Sequence, residues 1–275
     1  MKTVCLVCPH KCKLHEGQVG FCNARICKDG KVISENYGRI TAMALDPIEK
    51  KPLNHYYPGS KILSVGSYGC NLKCSFCQNH DISMTGVREI DYQEVSAKDL
   101  VEEAYELKGR GNIGLAYTYN EPLIGYEFVR DCGLLARERG LKNVVVTNGY
   151  ICEEPLNELL LIVDAFNIDL KSFSNDFYKN IKGDLDTVKR TITMVGSHCH
   201  VEVTTLIIPG ENDSDEEMEE LSGWLSGISP DIPLHISRFF PRWKKQDREA
   251  TAVKTVYRLA DIARKNLKYV YEGNC

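Results

Sequence analysis

From about residue 61 onward, short apolar segments typical of β-strands alternate with segments of helical period. The strand-like segments include residues 62–66, 114–117 and 201–208. Residues 185–195 show the helical spacing instead, with Leu185, Val188, Ile192 and Val195 on one face. Regular β–α alternation indicates a parallel sheet with right-handed crossovers. About six units fit this α/β pattern, which predicts a partial or complete (βα) barrel with its chemistry at the C-terminal ends of the strands.

The composition is that of an ordinary globular protein, with 43% hydrophobic and 26% charged residues. A net charge of −4 gives no general attraction to nucleic acid or to anionic membranes, and we expect neither as a partner. The longest apolar runs, such as residues 159–163, are far shorter than the roughly 20 residues that cross a bilayer. The N-terminal residues show no secretory signal, so we expect a cytoplasmic protein.

Twelve cysteines are many for such a chain, and eight of them lie within the first 77 residues. In a reducing compartment, metal ligation is a more common use of clustered cysteines than disulfide formation. The other four are scattered, and we interpret them as ordinary packed or surface residues: Cys132, Cys152, Cys199 and Cys275.

The first of the two cysteine groups lies near the N-terminus. Cys5, Cys8, Cys12 and Cys22 fall within eighteen positions, with Cys27 as a spare. Four thiolates can hold a structural zinc ion or a second iron–sulfur cluster, and the spacing leaves both open. Because residues 1–60 contain few apolar residues, we predict a cysteine-rich metal-binding module there, followed by the barrel in residues 61–275.

The second group is Cys70, Cys74 and Cys77, spaced C-x3-C-x2-C directly after the first predicted strand. Three thiolates this close together can bind three irons of a 4Fe–4S cluster and leave the fourth iron open, whereas electron-transfer clusters use four protein ligands. An open iron can bind a substrate or cofactor directly. We predict that these cysteines hold such a cluster and that S-adenosylmethionine (SAM) is its cofactor.

Polar residues follow the next predicted strands at the point where each one ends. Glu121 follows the second, Thr147 and Asn148 the third, and Asp169 and Lys171 end the fourth. The C-terminal ends of parallel strands meet at one mouth of a barrel, so these side chains are expected to converge near the cysteine loop. A further candidate, on the sixth strand, is His235.

The segment Cys70-x3-Cys74-x-Phe76-Cys77 resembles the signature of the radical SAM superfamily. The order of motifs is similar to that of glycyl-radical-enzyme activases such as pyruvate formate-lyase activating enzyme. It resembles even more closely the radical SAM enzymes of the AmmeMemoRadiSam system. The latter resemblance covers nearly the whole chain, through the motifs CLVCPHKC at 5–12, DPIEKKPL at 46–53, YNEP at 119–122 and IPGEND at 208–213.

The resemblance implies a partial (βα)6 barrel in which SAM binds the open iron of the cluster. An electron from the reduced cluster cleaves SAM and forms a 5′-deoxyadenosyl radical, which abstracts hydrogen from a substrate. An activase would form a glycyl radical on a protein; alternatives are modification of a small molecule or of a protein side chain. Partners would be an electron donor such as flavodoxin or ferredoxin, and a protein substrate. The non-enzymatic alternatives are an iron–sulfur electron carrier and a zinc-stabilised binding module.

The resemblance also implies roles for single residues. Phe76 would stack near the adenine, although it could instead fill the barrel mouth. Glu121 would hold the methionine ammonium, as the acid of the activase Gly-Gly-Glu motif does. Asp169 and Lys171 would address the opposite charges of the amino acid moiety, unless they form a surface ion pair.

Thr147 and Asn148 would lie near the cofactor. His235 would contact the ribose or adenine, or would be a satisfied core residue. At the two positions before Glu121 this chain has Tyr119 and Asn120 in place of the activase glycines. Val146 replaces an activase aspartate, so no monovalent cation is predicted there.

The segment from residue 238 to residue 248 mixes aromatic and basic residues. It could form an RNA surface, a lip that grips a protein substrate, or a solvated loop whose aromatic residues pack into the core. The overall acidity argues against RNA.

Overall fold

A computed structural model describes residues 2–275. Its centre is an eight-stranded sheet in the order β14-β13-β12-β11-β10-β9-β7-β6. These strands are β6 (Ala42–Pro47), β7 (Lys61–Gly66), β9 (Asn112–Tyr117), β10 (Lys142–Thr147), β11 (Ala165–Asp169), β12 (His200–Ile207), β13 (Leu234–Arg238) and β14 (Val270–Gly273). The remaining strands form three two-stranded pairs: β1 (Thr3–Val4) with β2 (Lys13–Leu14), β3 (Arg25–Lys28) with β4 (Lys31–Ser34), and β5 (Arg39–Ile40) with β8 (Gln93–Glu94).

Seven strands of the central sheet run parallel, and β6 pairs antiparallel with β7 at one edge. Within residues 2–275 the two edge strands, β6 and β14, do not pair with each other, so the barrel is open. The predicted partial (βα)6 barrel is confirmed. The parallel strands are built from buried apolar residues on both faces, as expected when helices cover the outside and the barrel interior is filled.

Helices connect the successive strands. They are α1 (His80–Ser83), α2 (Ala97–Glu106), α3 (Tyr126–Glu138), α4 (Glu153–Leu160), α5 (Asn175–Asn180), α6 (Leu185–Gly196), α7 (Asp215–Ile228) and α8 (Val253–Ala263), with 3-10 turns at Ile48–Lys50, Leu107–Arg110 and Pro122–Gly125. Ser96 caps α2 through the backbone N–H of Asp99, and Ser214 caps α7 through that of Glu217. The apolar stripe predicted for residues 185–195 is buried on α6.

The first part of the chain is linked by backbone hydrogen bonds to two loops at the C-terminal ends of the parallel strands. The backbone N–H of Cys70 donates to the carbonyl of Cys22 at 3.1 Å, and that of Cys152 donates to the carbonyl of Val7 at 2.9 Å. Although β6 precedes residue 60, it belongs to the central sheet. The division of the chain near residue 60 stays a prediction.

Among residues 2–275 there is no helix with the length and apolar character needed to cross a membrane.

Candidate active site

A cavity of about 290 Å³ lies at the C-terminal ends of the parallel strands. The cysteine loop forms one wall, and the ends of β9 to β13 form the others. Of the predicted site residues, nine line this cavity: Cys70, Cys74, Phe76, Cys77, Glu121, Thr147, Asn148, Asp169 and Lys171. The convergence expected from the barrel architecture is therefore present, and the cavity volume is near the lower end of the range of about 300–1,000 Å³ that is usual for small-molecule sites.

The cysteine loop begins at a glycine that no other residue could replace without distortion. Gly69 has φ +86°, and a Cβ added to it would lie 2.4 Å from the carbonyl oxygen of Cys22. This close approach lets the N–H of Cys70 reach the same oxygen. The loop is thus held against the N-terminal segment at the residue that carries its first thiol.

Burial raises the pKa of all three loop thiols, to about 12 for Cys74. A desolvated thiol is costly to ionise unless a cation lies beside it, and a bound metal supplies that cation. Polar groups already point at the first sulfur: the amide of Asn148 lies 3.6 Å from Sγ of Cys70, and the N–H of Leu72 lies 3.4 Å from it. Three thiols and N–H donors around one cavity fit a cluster ligated by three cysteines.

Glu121 is a buried carboxylate with neutral hydrogen-bond donors. It accepts from the hydroxyl of Thr147 at 2.7 Å, from the N–H of Asn148 at 2.8 Å and from the N–H of Leu123 at 3.0 Å. Burial outweighs these bonds and raises its pKa to about 7. A buried acid of this kind is stabilised in its charged form by a cationic ligand.

Asp169, at the end of β11, forms an ion pair of 2.9 Å with Lys171. Burial opposes the charge of Lys171, but Asp169 and then Cys74 raise its pKa above the usual range. Because both side chains line the cavity, the pair can exchange its internal contact for contacts with a bound zwitterion.

Phe76 is buried and has its ring centroid 6.0 Å from that of Phe177. It both lines the cavity and packs against the core, so each of its two proposed roles keeps a structural basis.

His235 lies away from the cavity. Its Nε2 is 2.7 Å from the carboxylate of Glu202, deep at the N-terminal end of the sheet. Ser237, two residues further along β13, is the residue that reaches the cavity. Two strand residues span roughly 7 Å, which places His235 below the cavity, toward the N-terminal end of the strand. The structure therefore gives His235 the core environment, the second of its two predicted alternatives.

Two asparagines that sequence reasoning did not assign hold the loop in place. Asn120 accepts a hydrogen bond from the N–H of Ser67 at 2.9 Å and donates to the carbonyls of Tyr68 and Gly69, each at 3.1 Å. It thus fixes the chain just before the first cysteine. The sequence feature that points to this role is the position of Asn120 beside Glu121, where activases have glycine.

Asn71, within the cysteine loop itself, connects three segments. Its Oδ1 accepts from the amide of Asn148 at 2.9 Å, its Nδ2 donates to the carbonyl of Tyr150 at 2.6 Å, and its own carbonyl lies 2.8 Å from Nε2 of His10. It joins the loop to the end of β10 and to the N-terminal segment.

The basic and aromatic segment 238–248 lies over the cysteine loop. The N–H of Lys244 donates to the carbonyl of Ser75 at 3.1 Å, and the ring of Trp243 stacks on His80 with centroids 5.3 Å apart. Its position at the rim fits a lip above the site, and Phe239 packs into the core, so the lip and the loop with aromatic residues in the core both keep a structural basis.

The profile described as the Radical SAM superfamily matches residues 64–222, more than half of the sequence. The chain belongs to the radical SAM superfamily. This family implies a 4Fe–4S cluster and SAM as cofactors, and the three-cysteine loop with its polar cavity fits both. The protein is a radical SAM enzyme with activase-like relatives.

An uncharacterized protein of Methanocaldococcus jannaschii is 40% identical to this radical SAM protein over 277 residues, covering 99% of this chain and 81% of that protein. The pyruvate formate-lyase 1-activating enzyme of Escherichia coli (strain K12) is 25% identical over 169 residues, which cover 60% of this chain and 68% of that enzyme. Among solved structures, SuiB of Streptococcus suis superposes with a TM-score of 0.60 at 14% identity, over 76% of this chain and 48% of SuiB. The chain thus spans about half the length of SuiB, and this likeness supports the fold alone.

Proposed function

We propose that this radical SAM enzyme abstracts hydrogen from a protein substrate, with a backbone glycine as the preferred target. When bound, the cluster and SAM supply reductive cleavage to a 5′-deoxyadenosyl radical. The observation that carries the proposal is the meeting of the three loop cysteines with Glu121 in one cavity. The glycine target rests on the likeness to a pyruvate formate-lyase activating enzyme.

In this proposal each group of residues has a separate task. Cys70, Cys74 and Cys77 ligate the cluster as thiolates. Glu121 accepts hydrogen bonds from the ammonium group of the cofactor. This group supplies the positive charge that would stabilise the buried carboxylate. Asp169 and Lys171 hold and orient the charged end of the cofactor beside Glu121.

The remaining cavity residues complete the pocket. Thr147 and Asn148 keep Glu121 oriented through the hydrogen bonds already described. Phe76 presents an apolar face near the adenine and excludes water from the cavity.

The central test is anaerobic reconstitution with iron and sulfide, followed by measurement of 5′-deoxyadenosine after reduction with dithionite. Alanine substitution of Cys70, Cys74 or Cys77 should reduce cofactor cleavage by at least about 1,000-fold, because each removes a ligand of the cluster. Cys199→Ala is the matched control, since this thiol lies outside the cavity. Failure of a fully loaded, reduced wild-type protein to cleave SAM would refute the proposal.

The class of substrate requires a second experiment. Cells of the source organism grown on deuterated glycine would provide a protein fraction and a small-molecule filtrate. We expect deuterium to appear in 5′-deoxyadenosine only with the protein fraction. Deuterium transfer from the filtrate alone would favour the alternative, in which a small molecule is the substrate.

An acidic electron donor, a flavodoxin or ferredoxin in a reducing cytoplasm, fits the basic residues beside the cysteine loop. Lys73 belongs to the loop, and Lys244 is attached to it through Ser75. Both lysines place positive charge close to the cluster ligands, where long-range attraction would speed encounter with an acidic protein. Lys244→Glu should slow reduction by flavodoxin or ferredoxin while leaving reduction by dithionite unchanged.

A further inference from the structure

A buried ion pair with an attached tyrosine lies in the wall of the barrel beside the candidate active site. It belongs to the DPIEKKPL segment, in which Asp46 is 8% exposed and Lys51 is 3% exposed. Nζ of Lys51 lies 2.9 Å from Oδ2 of Asp46, and Nζ of Lys50 lies 3.1 Å from Oδ1. The hydroxyl of Tyr119 donates to Oδ2 of Asp46 at 2.8 Å. One carboxylate thus joins two ammonium groups and a phenol.

Tyr119 connects this carboxylate with the cavity. It lines the cavity together with the three loop cysteines, whereas Asp46 and Lys51 do not. Its backbone has φ +71°, a left-handed conformation that is uncommon for a residue with a side chain. Asn79, which follows the cysteine loop, donates to its carbonyl at 2.7 Å. Because Tyr119 follows β9 and Asp46 lies on β6, the side chain crosses β7, the strand between them.

The strand that the ring crosses has small residues on the side that faces it. A Cβ added to Gly66 would lie 2.9 Å from Cβ and from Cδ2 of Tyr119. Ser64, two residues earlier on the same face of β7, is fully buried and also small. The sequence of β7 therefore leaves room for the ring of Tyr119 on the inner side of the sheet.

The charges around Asp46 decide which way the phenol hydrogen points. Although burial opposes it, the hydrogen bonds from Lys51, Tyr119 and Lys50 lower the pKa of Asp46 to about 2. At neutral pH Asp46 is thus a carboxylate, which can only accept hydrogen bonds. Burial, and then the bond to Asp46, raise the pKa of Tyr119 to about 12, so the phenol keeps its hydrogen. This hydrogen is directed at Asp46.

Lys51 also holds the ring itself. Its Nζ lies 4.8 Å from the centroid of the Tyr119 ring, within the range of a cation–π contact. The ammonium group therefore contacts both the acceptor of the phenol hydrogen and the ring that carries the phenol. Together Asp46 and Lys51 form a clamp on the Tyr119 side chain.

The direction of the phenol hydrogen matters in a cavity where a carbon radical is formed. A phenol O–H bond is weaker than the C–H bond of a methyl group, so a primary carbon radical takes a hydrogen atom from a phenol that it can reach. In that step a C–H bond forms, the O–H bond breaks and a phenoxyl radical stays on the tyrosine, with no further reactant. The step would consume SAM and leave the substrate unchanged. Exclusion of competing reactions of this kind is a task of the protein around a cofactor.

We propose that Asp46 and Lys51 are positioning residues that keep the phenol hydrogen of Tyr119 away from the radical, so that the hydrogen atom comes from the substrate. The inference rests on the proposed function, because it requires a radical in the cavity. In a cavity of about 290 Å³ every lining side chain is close to the bound cofactor, so the orientation of Tyr119 and not its distance provides the protection.

The test uses the double variant Asp46→Leu, Lys51→Met, in which apolar side chains of similar volume replace the buried ion pair. In heavy water the phenol hydrogen exchanges for deuterium, whereas carbon-bound hydrogens do not. After reconstitution and reduction without substrate, 5′-deoxyadenosine from the wild type should contain little deuterium. The double variant should give at least about fivefold more, because Asp46 no longer holds the phenol.

The matched control adds Tyr119→Phe to the double variant, which removes the phenol and keeps the ring. Deuterium in 5′-deoxyadenosine should return to the wild-type level. If the ion pair only stabilised the fold, its replacement would lower stability without changing the source of the hydrogen atom. Equal deuterium in the wild type and the double variant, or an excess that persists after Tyr119→Phe, would overturn the proposal.

A second measurement needs neither the cofactor nor the double variant. In protein labelled with ζ-¹³C tyrosine, the signal that Tyr119→Phe removes belongs to Tyr119. A phenol that donates to a carboxylate should have its Cζ signal displaced toward the phenolate position, relative to exposed tyrosines such as Tyr257. Since the pKa of Tyr119 is raised to about 12, this signal should not titrate up to pH 10.

The two measurements separate this inference from the proposed function. Wild-type protein that does not cleave SAM would refute the proposed function, and the NMR measurement would still test the clamp. A Tyr119 signal that titrates below pH 10, or that lies at the position of the exposed tyrosines, would overturn the clamp without affecting the proposed function.

Discussion

Two buried glutamates lie at opposite ends of the barrel, and their pKa values are shifted in opposite directions. At the mouth, Glu121 accepts only from neutral donors, and burial raises its pKa to about 7. At the floor, Glu202 accepts from His200 and His235 and from the backbone N–H groups of Asn54 and His55. Although burial opposes it, these hydrogen bonds lower the pKa of Glu202 to about 2.

The comparison separates a structural carboxylate from one suited to a ligand. Glu202 has its full set of donors within the fold and joins the segment before β7 to β12. Glu121 is equally inaccessible but carries its charge at a cost, and a cationic group entering the cavity would remove that cost. Burial alone therefore does not distinguish a core acid from a site acid; the hydrogen bonds to the carboxylate do, four for Glu202 and three for Glu121.

The largest effect is expected from Glu202→Gln. The amide would place two hydrogens against donors that need an acceptor, leaving buried groups unsatisfied, and we expect a loss of about 3–5 kcal/mol in the free energy of unfolding. Urea denaturation at pH 7 measures it. Glu272→Gln, which removes a surface ion pair with Arg264, is the control and should cost less than about 1 kcal/mol. A Glu202→Gln chain as stable as the wild type would contradict the structural role.

The second prediction concerns the stability of the fold at low pH. Because the pKa of Glu202 is lowered in the folded protein, its carboxylate stabilises the fold above the ordinary value of 4.5 and loses this contribution as the pH falls toward 2. The shift corresponds to about 3 kcal/mol. The unfolding free energies of wild type and Glu202→Gln should therefore approach each other between pH 4.5 and pH 2. Parallel curves over that interval would contradict the assignment.

For Glu121 we expect the opposite pH dependence of the unfolding free energy, which Glu121→Gln tests in the protein without cofactor. Its folded-state pKa is raised, so the wild type gains stability as the pH falls from 7 toward 4.5, and the ionised carboxylate costs stability above pH 7. We expect the unfolding free energy of Glu121→Gln to shift relative to that of the wild type by about 1–3 kcal/mol in favour of the variant between pH 4.5 and pH 8.

The same substitution should weaken cofactor binding. Loss of a charged acceptor for the cofactor ammonium should raise the dissociation constant of SAM by about 10–100-fold. Calorimetric titration of the reconstituted protein measures it. Tighter or unchanged binding together with higher stability would show that Glu121 is a frustrated core residue and not a ligand of the cofactor.

The features that the sequence predicted are those set by local periodicity and chain order. The strands and helices were found because their apolar residues repeat, and the cavity residues were found because each follows a strand. The predicted strand containing His235 starts at Leu234, as in the structure, and the position of His235 near that N-terminal end already favours the floor of the barrel, because the cavity lies at the C-terminal ends of the strands. The contacts of Asn71 and Asn120 join residues far apart in the chain, and nothing in the local pattern specifies them.

The smallest predicted effect concerns Asn120, where this chain departs from the activase glycines. Asn120→Gly removes an acceptor from the N–H of Ser67 and two donors to the loop carbonyls, and it adds backbone freedom before Cys70. We expect a loss of about 1–2 kcal/mol in the free energy of unfolding, well below that of Glu202→Gln. Asn79→Gly, at the other end of the loop, removes one hydrogen bond to Tyr119 and is the control. Because Asn120 lies next to Glu121 yet bonds only to backbone, its loss should leave the pH dependence near 7 unchanged; a shifted profile would mean that the charge of Glu121 depends on the loop as well as on its own donors.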